Sequence, residues 1–383
     1  MNQADMTEYA GAHWQEAYEL LTTLARIPAP SGKEDRRAEF IRAWLVGKGA
    51  KEVFIDEAKN VIYPIGDTGH NQLTVFSAHT DVVFPDETPL PLEEKDGMLY
   101  APGIGDDTAN LTALLIAAEY LTDYAEKGWD KPDGILIVLN SCEEGLGNLK
   151  GVRQICQRYE GRIKELISFD CTMQSIVTKA VGSKRYEVEV LTEGGHSYSA
   201  FGSRNAIAYL ADMIGTLYTL KVPDKGKTTY NVGMISGGTS VNTIAQQASM
   251  LYEFRSDDRE NLRFMERHFQ SVIEAYRAKG ITVNVTVLGE RPCMGEVPKE
   301  LQNALADRAK RIIKKYTGME AYETSASTDC NLPLSLGIPA IAFGGYIGGK
   351  SHTREEWLEI NSLRMGLAVI LEMVLTESGI FRE

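Results

Sequence analysis

Four short apolar runs constrain this chain more than any other feature: LTVFSAH (73–79), the start of GILIVLNSCEE (134–144), ELISFD (165–170) and AIAFGG (340–345). Each is the length of a strand and too short for a typical helix. Each is apolar nearly throughout, the pattern of strands buried on both faces. Helical periodicity lies around them, in HWQEAYELLTTLAR, TANLTALLIAAEYLTDYAE, NLKGVRQICQRY, LQNALADRAKRIIKKY and NSLRMGLAVILEMVLTES. Strands alternating with helices predict an α/β fold, a mostly parallel sheet covered by helices. EVFID and VIYPIG add two short strands. IPAPSG breaks the first helix, and Ser31 is a suitable N-cap for the helix in KEDRRAEFIRAWLVGKG.

The texture changes near residue 180. KRYEVEVLTE alternates with period two, followed by a helix (RNAIAYLADMIGTLY), two strands (TTYNVGMISGG, ASMLYEFRS), a helix (NLRFMERHFQSVIEAYRAKG) and a strand (ITVNVTVLG). This β-α-β-β-α-β order describes an α+β ferredoxin-like module. The α/β texture resumes after ERPCMGEVP. The expected organisation is one catalytic domain in two segments, 1–179 and 291–383, split by an inserted domain at 180–290.

The net charge of -13 argues against nucleic acid or an anionic membrane as the main partner. No run approaches the length of a membrane span, and MNQADMTEYAGAHWQEAY has no apolar signal core. Five cysteines without CxxC spacing read as reduced thiols in a cytoplasmic protein.

GIGDDTAN (103–110) sets two like charges, Asp106 and Asp107, side by side before an apolar helix. Such neighbours raise each other's pKa unless solvent or a cation compensates. Taken singly, HTD at 79–81 is a capping turn, DD is a solvated N-cap and EE at 143–144 is a surface turn. Jointly, His79, Asp81, Asp106, Asp107, Glu143, Glu144, Asp170 and His352 fall at strand ends or in the loops that follow. Open α/β sheets bind ligands there. Imidazoles and carboxylates suit zinc, and two zinc ions need a bridging group such as an aspartate at a helix start. Asp81, two residues after His79, could accept its imidazole N–H. One member of the Glu143–Glu144 pair could bind metal while the other remains a base. His13, His70 and His268 read as surface residues. Cys142 and Cys171 read as core-facing rather than nucleophilic.

IPAPSGKE, SAHTDVV, GIGDDTAN, SCEEGLG, GGHSYSAFGSRNAIAYL, SVNTIA and SHTREEW together resemble the di-zinc metallopeptidases that include peptidase T, the glutamate carboxypeptidases, the aminoacylases and succinyl-diaminopimelate desuccinylase. The resemblance spans nearly the whole chain. It implies one zinc on His79, Asp106 and Asp170, and a second on Asp106, Glu144 and His352, with cobalt or manganese able to substitute. It implies Glu143 as general base, Asp81 orienting His79, and a cis bond between Asp106 and Asp107. The inserted module matches the family's lid or dimerisation domain and implies a homodimer. Within it His196, Asn242 and Arg255 are assigned to the substrate and the reacting carbonyl; for Arg255 a salt bridge within the lid is the alternative. The implied activity is hydrolysis of an amide bond in small peptides, of exopeptidase type. Deacylation of an N-acyl amino acid is the alternative on the same site. A non-catalytic binding protein is a weaker third, because no ligand and no base is lost. The chain departs from many relatives in carrying Asp107, Thr108 and Ala109 where they have lysine or methionine–lysine, so the positive charge expected at that edge of the site is missing.

Overall fold

A computed structural model describes residues 3–69, 72–126 and 134–381; His70 lies outside the described residues. The chain forms two compact units, Met1–Lys179 with Glu296–Glu383, and Ala180–Gly295.

The first unit is built on an eight-stranded sheet in the order Phe54–Ile55, Val61–Ile65, Gly134–Asn140, Leu73–His79, Ile163–Phe169, Ala340–Phe343, Ser175–Ala180, Tyr322–Ala326. The four apolar runs form its centre and are parallel to one another, while Val61–Ile65 and Ser175–Ala180 join them antiparallel. Register fixes what the strand ends present. His79 is opposite Asn140, Ser77 is opposite Ser168, and Phe343 is opposite Phe169. The carboxyl ends are therefore level, and His79, the loop at 141–144 and Asp170 leave the sheet along one edge.

One face of the sheet carries Phe76, Ala78, Ile137, Leu139, Ile167, Phe169, Ile341 and Phe343, which join the main core with helices Asn110–Glu126 and Ile360–Glu377. Phe169 stacks on Phe76 at 6.2 Å and meets Phe343 edge-on at 5.5 Å. Each buried ring contributes about 1.5–3 kcal/mol by leaving water. A small antiparallel sheet has a different task. Trp357–Glu359 pairs with Met98–Tyr100 and with Gly348–Gly349, which ties the loop carrying His352 to the segment leading into GIGDD. That sheet and the edge strands Ser175–Ala180 and Tyr322–Ala326 escape the sequence reading because they are short and lack an apolar pattern.

Two local readings are corrected. The helix after IPAPSG spans Asp35–Gly47 with Glu34 at its N-cap position, and Ser31 does not cap it; the Ser31 hydroxyl donates to Asp81 instead. His13 and His268 are half-buried rather than surface residues. His13 stacks on Tyr9 at 3.8 Å.

The second unit has a four-stranded antiparallel sheet in the order Thr228–Gly237, Gln247–Ser256, Gly182–Leu191, Thr282–Arg291. Helices Ala206–Leu217 and Arg259–Ala278 pack on it around their own core, with Tyr186 stacked on Phe269 at 4.3 Å. The Asn205 and Asp258 side chains cap these helices, each accepting from two backbone amides of the first turn. The order of elements and of strands is ferredoxin-like.

Gly366, mid-helix in Ile360–Glu377, lies against Gly345. A Cβ on Gly366 would fall 1.4 Å from the Gly345 carbonyl oxygen. Alanine at such a position ordinarily gains about 1 kcal/mol of helix propensity. Here the clash wins. Gly366→Ala should destabilise the protein by about 1–3 kcal/mol, the usual cost of overpacking, measured as a lower midpoint in denaturant unfolding. An unchanged or higher midpoint would show that this helix does not pack against Gly345.

Candidate metal centre

Asp106 sits where the chain leaves helical geometry (φ −96°, ψ 94°) inside the turn Ile104–Ala109, and its bond to Asp107 is cis. The turn is wrapped around the buried carboxylate of Glu356, which accepts from the amides of Gly103 (2.8 Å), Gly105 (2.9 Å) and Asp106 (2.8 Å). The glycines of GIGDD let the backbone close around that side chain. Gly103 has φ 72°, a left-handed conformation that favours glycine.

Held this way, the Asp106 carboxylate faces an imidazole on each oxygen. His79 Nε2 lies 3.1 Å from Oδ1, and His352 Nε2 lies 3.2 Å from Oδ2. Glu144 adds an oxygen 2.9 Å from His352 Nε2. Donor atoms of Asp106, Glu144 and His352 lie within 4.8 Å of one another, as do those of His79, Asp107 and Asp170, and those of His79, Glu143 and Glu144. Glu143 and Glu144 are each 5% exposed.

Asp107 does not share the role of its neighbour. It is fully buried, accepting from the His79 amide at 2.9 Å and from Asn110 Nδ2 at 2.7 Å. It therefore places no charge at an accessible edge of the site. Asp81 has more than one task. The His79 Nδ1 partner is the Asp81 backbone oxygen at 3.1 Å, and the carboxylate stands 3.6 Å away. That carboxylate pairs with the ring at this distance and also accepts from the amides of Glu143 and Glu144, both at 3.0 Å. The competing demand was two consecutive orphan amides after a strand end, a need that spacing alone does not reveal.

The electrostatics follow from this crowding of acids. Burial pushes Asp170 up to about 6, with the Asp106 charge adding to it. Burial likewise drives Asp107 well above the usual carboxylate range. Burial opposes the low value of Asp106, but hydrogen bonds to His352 and His79 hold its carboxyl well below that range. Hydrogen bonds to Asp106 and Glu144 raise His352 to about 10. Burial would lower His79, yet the charge of Asp107 and the bond to Asp106 raise it well above its ordinary value. Both shifts favour the protonated form of the imidazoles beside these carboxylates. Two imidazoles on opposite oxygens of one carboxylate, with Glu144 beside one and Asp170 near the other, form a donor set suited to a pair of divalent ions.

A sequence model of peptidase family M20/M25/M40 matches residues 75–376. The chain belongs to that family. Succinyl-diaminopimelate desuccinylase from Bordetella parapertussis is 25% identical over 314 residues, 76% of this chain and 79% of that protein. Acetylornithine deacetylase from Buchnera aphidicola is 25% identical over 385 residues, 93% of this chain and 96% of that protein. Among solved structures, a tripeptidase from Staphylococcus aureus superposes with a TM-score of 0.76 at 22% identity, covering 96% of this chain and 99% of that one. A dinuclear metal-binding peptidase of the M20 family from Bacillus subtilis superposes with a TM-score of 0.67 at 16% identity, covering 97% and 100%. Membership of M20/M25/M40 makes this chain a hydrolase of a metal-dependent peptidase family, and none of its described helices is long and apolar enough to cross a membrane.

The remaining expected residues lie in the second unit. His196 is exposed, in a two-residue strand paired with Thr243–Ile244, and the Asn242 carbonyl accepts from the next amide, Ser197, at 2.9 Å. These two are neighbours. Arg255 is not with them. It lies near the far end of Gln247–Ser256, about 25 Å along the strand from the Asn242 end, and its Nε and Nη2 donate to Glu253 at 3.0 and 3.1 Å. Glu356 was missed from sequence. Its only signal is a second acid in SHTREEW that faces three amides of a remote glycine-rich turn.

The protonated imidazoles set a pH dependence. His352 titrates near 10 in the folded chain against an ordinary 6.5. Its contribution to the metal-free fold is complete below about 6.5 and is lost as the pH rises through about 10. Metal must displace those protons. Calorimetric titration of the metal-free protein with zinc at pH 7, in buffers of different ionisation enthalpy, should show proton release and affinity rising from pH 6 to 8. Binding without proton release would mean that the two imidazoles are already neutral in the metal-free protein at pH 7.

Proposed function

We propose that this protein hydrolyses an amide bond in short peptides, with two divalent ions held by its first unit. His79, Asp106 and Asp170 would hold one ion, and Asp106, Glu144 and His352 the other. The carrying observation is the Asp106 carboxylate with an imidazole at each oxygen. A metal pair bound there supplies Lewis acidity to the substrate carbonyl and to the attacking water. The residues do the rest. Glu143 takes the proton of the attacking water and passes it to the leaving nitrogen. Asp81, through the Glu143 and Glu144 amides, keeps the base and its neighbour pointing in fixed directions. Zinc is the preferred reading, with cobalt or manganese as substitutes, and the five free cysteines suit a reducing cytoplasm.

His196 and Asn242 are read as groups for the reacting carbonyl and Arg255 as a partner for a substrate carboxylate. Their separation along the second unit supports a homodimer in which different copies supply them. Deacylation of an N-acyl amino acid is the second reading, favoured by the curated relatives named for desuccinylation and deacetylation. Both reactions use one metal centre and differ in the acyl group accepted.

Two outcomes are expected. Glu143→Gln should retain both metals and lose about 100-fold or more in turnover, whereas Glu144→Ala should lose metal, as read by elemental analysis beside kinetics. The reverse pattern would exchange their roles. Separately, tripeptides and N-acyl amino acids assayed with zinc, cobalt and manganese should give turnover that a chelator abolishes and metal restores. Preferential cleavage of N-acyl amino acids would select the second reading, and full activity in metal-free protein would refute both.

A further inference from the structure

The segment IPAPSGKE is not used by the chemistry above, yet it is built into the site. Val82 donates to Ala29 at 2.9 Å, and Pro30 bridges to Val82 in parallel. Ser31 Oγ then donates to Asp81 Oδ2 at 2.5 Å and lies 3.3 Å from the Glu144 carbonyl oxygen. Glu34 follows, with no exposed surface. Its Oε1 accepts from the Gly32 amide (2.7 Å), the Cys142 amide (3.1 Å) and the Cys142 thiol (3.3 Å). With Asp81 on the Glu143 and Glu144 amides, three consecutive amides of one loop end on two buried carboxylates. The loop needs holding, because Cys142 has φ 57°, a left-handed conformation unfavourable for a residue with a side chain. Buried carboxylates need donors and an opposite charge. Arg37 provides the charge. It is 1% exposed, carries favourable charge interactions with Asp81 and Glu34, and donates to the carbonyls of Leu24, Ile27 and Thr80.

We propose that Glu34 is a positioning residue for Glu143. Its carboxylate fixes the Cys142 amide and, with Asp81, sets the direction in which the Glu143 side chain leaves the backbone. The inference rests on the reading of Glu143 as the general base. The acceptor oxygen acts, not the charge, so glutamine at this position keeps the clamp. Displacement of a reacting group by about 1 Å can cost about 100-fold in rate.

The test uses zinc-loaded full-length protein and the best substrate of the panel above. Glu34→Ala should lower kcat by about 10- to 100-fold, with KM changed less than about threefold and both metals retained. Glu34→Gln should recover most of the loss. Glu34→Asp, which keeps the charge but falls one methylene short of the Cys142 amide, should behave like Glu34→Ala and serves if the alanine variant does not fold. Wild-type kcat in Glu34→Ala or Glu34→Asp would overturn the clamp, as would Glu34→Gln being as impaired as they are. Wild-type turnover in Glu143→Gln would instead remove the base itself, so the two failures are distinguishable.

Discussion

The site depends on one carboxylate with an imidazole at each oxygen. Asp106 can present both oxygens to His79 and His352 only because its backbone is held from behind, by Glu356 accepting three amides of the GIGDD turn. The two histidines arrive by different routes. His79 ends a central parallel strand. His352 follows Gly348–Gly349, whose small sheet is paired to the segment just before the turn. The fold is arranged so that two distant parts of the chain meet on opposite sides of Asp106.

Around it, the buried acids divide by hydrogen-bond partner. Glu34, Asp81, Asp107 and Glu356 accept from backbone amides and thereby fix loops. Asp106 and Glu144 contact imidazole nitrogens, and Asp170 lies within donor-atom reach of His79. Members of the first group, and Asp170 through the Cys171 amide, have spent at least one oxygen on the protein itself. Those of the second face or adjoin imidazoles that can exchange a proton for a metal ion, releasing the proton to solvent. The division accounts for the doublets in the sequence. Asp107 secures the His79 strand end while Asp106 faces the imidazoles, and Glu143 and Glu144 share one clamp but leave it as two separate side chains.

Much of this was legible. The four apolar runs announced the parallel centre of the sheet because burial on both faces leaves an uninterrupted apolar pattern. Period-two alternation followed by helical periodicity marked the inserted module. The histidines and acids at strand ends stood out because a parallel sheet gathers such positions on one edge. What stayed hidden was satisfaction of backbone amides. Ser31 looked like an N-cap because serine suits that position, but the Asp81 carboxylate is its partner. Asp81 looked like a partner for the His79 ring, and its carboxylate stands 3.6 Å from that ring, but its oxygens also serve two orphan amides. Glu34 and Glu356 lie inside the IPAPSGKE and SHTREEW segments, but nothing in those segments marks their role, since a carboxylate that folds a remote loop has no spacing rule to obey.

The same distinction bears on substrate choice. The first unit supplies chemistry common to peptides and N-acyl amino acids, so selection between them falls to groups that meet the rest of the substrate. Arg255 is the obvious cation for a carboxylate end, but its guanidinium is already matched to Glu253, which Arg185 also contacts at 3.3 Å. A substrate carboxylate reaching Arg255 competes with an internal one and gains less than it would from an unpaired guanidinium. On the proposed role of Arg255, recognition of a carboxylate there would require displacing Glu253, and Glu253 would be the residue that sets its strength.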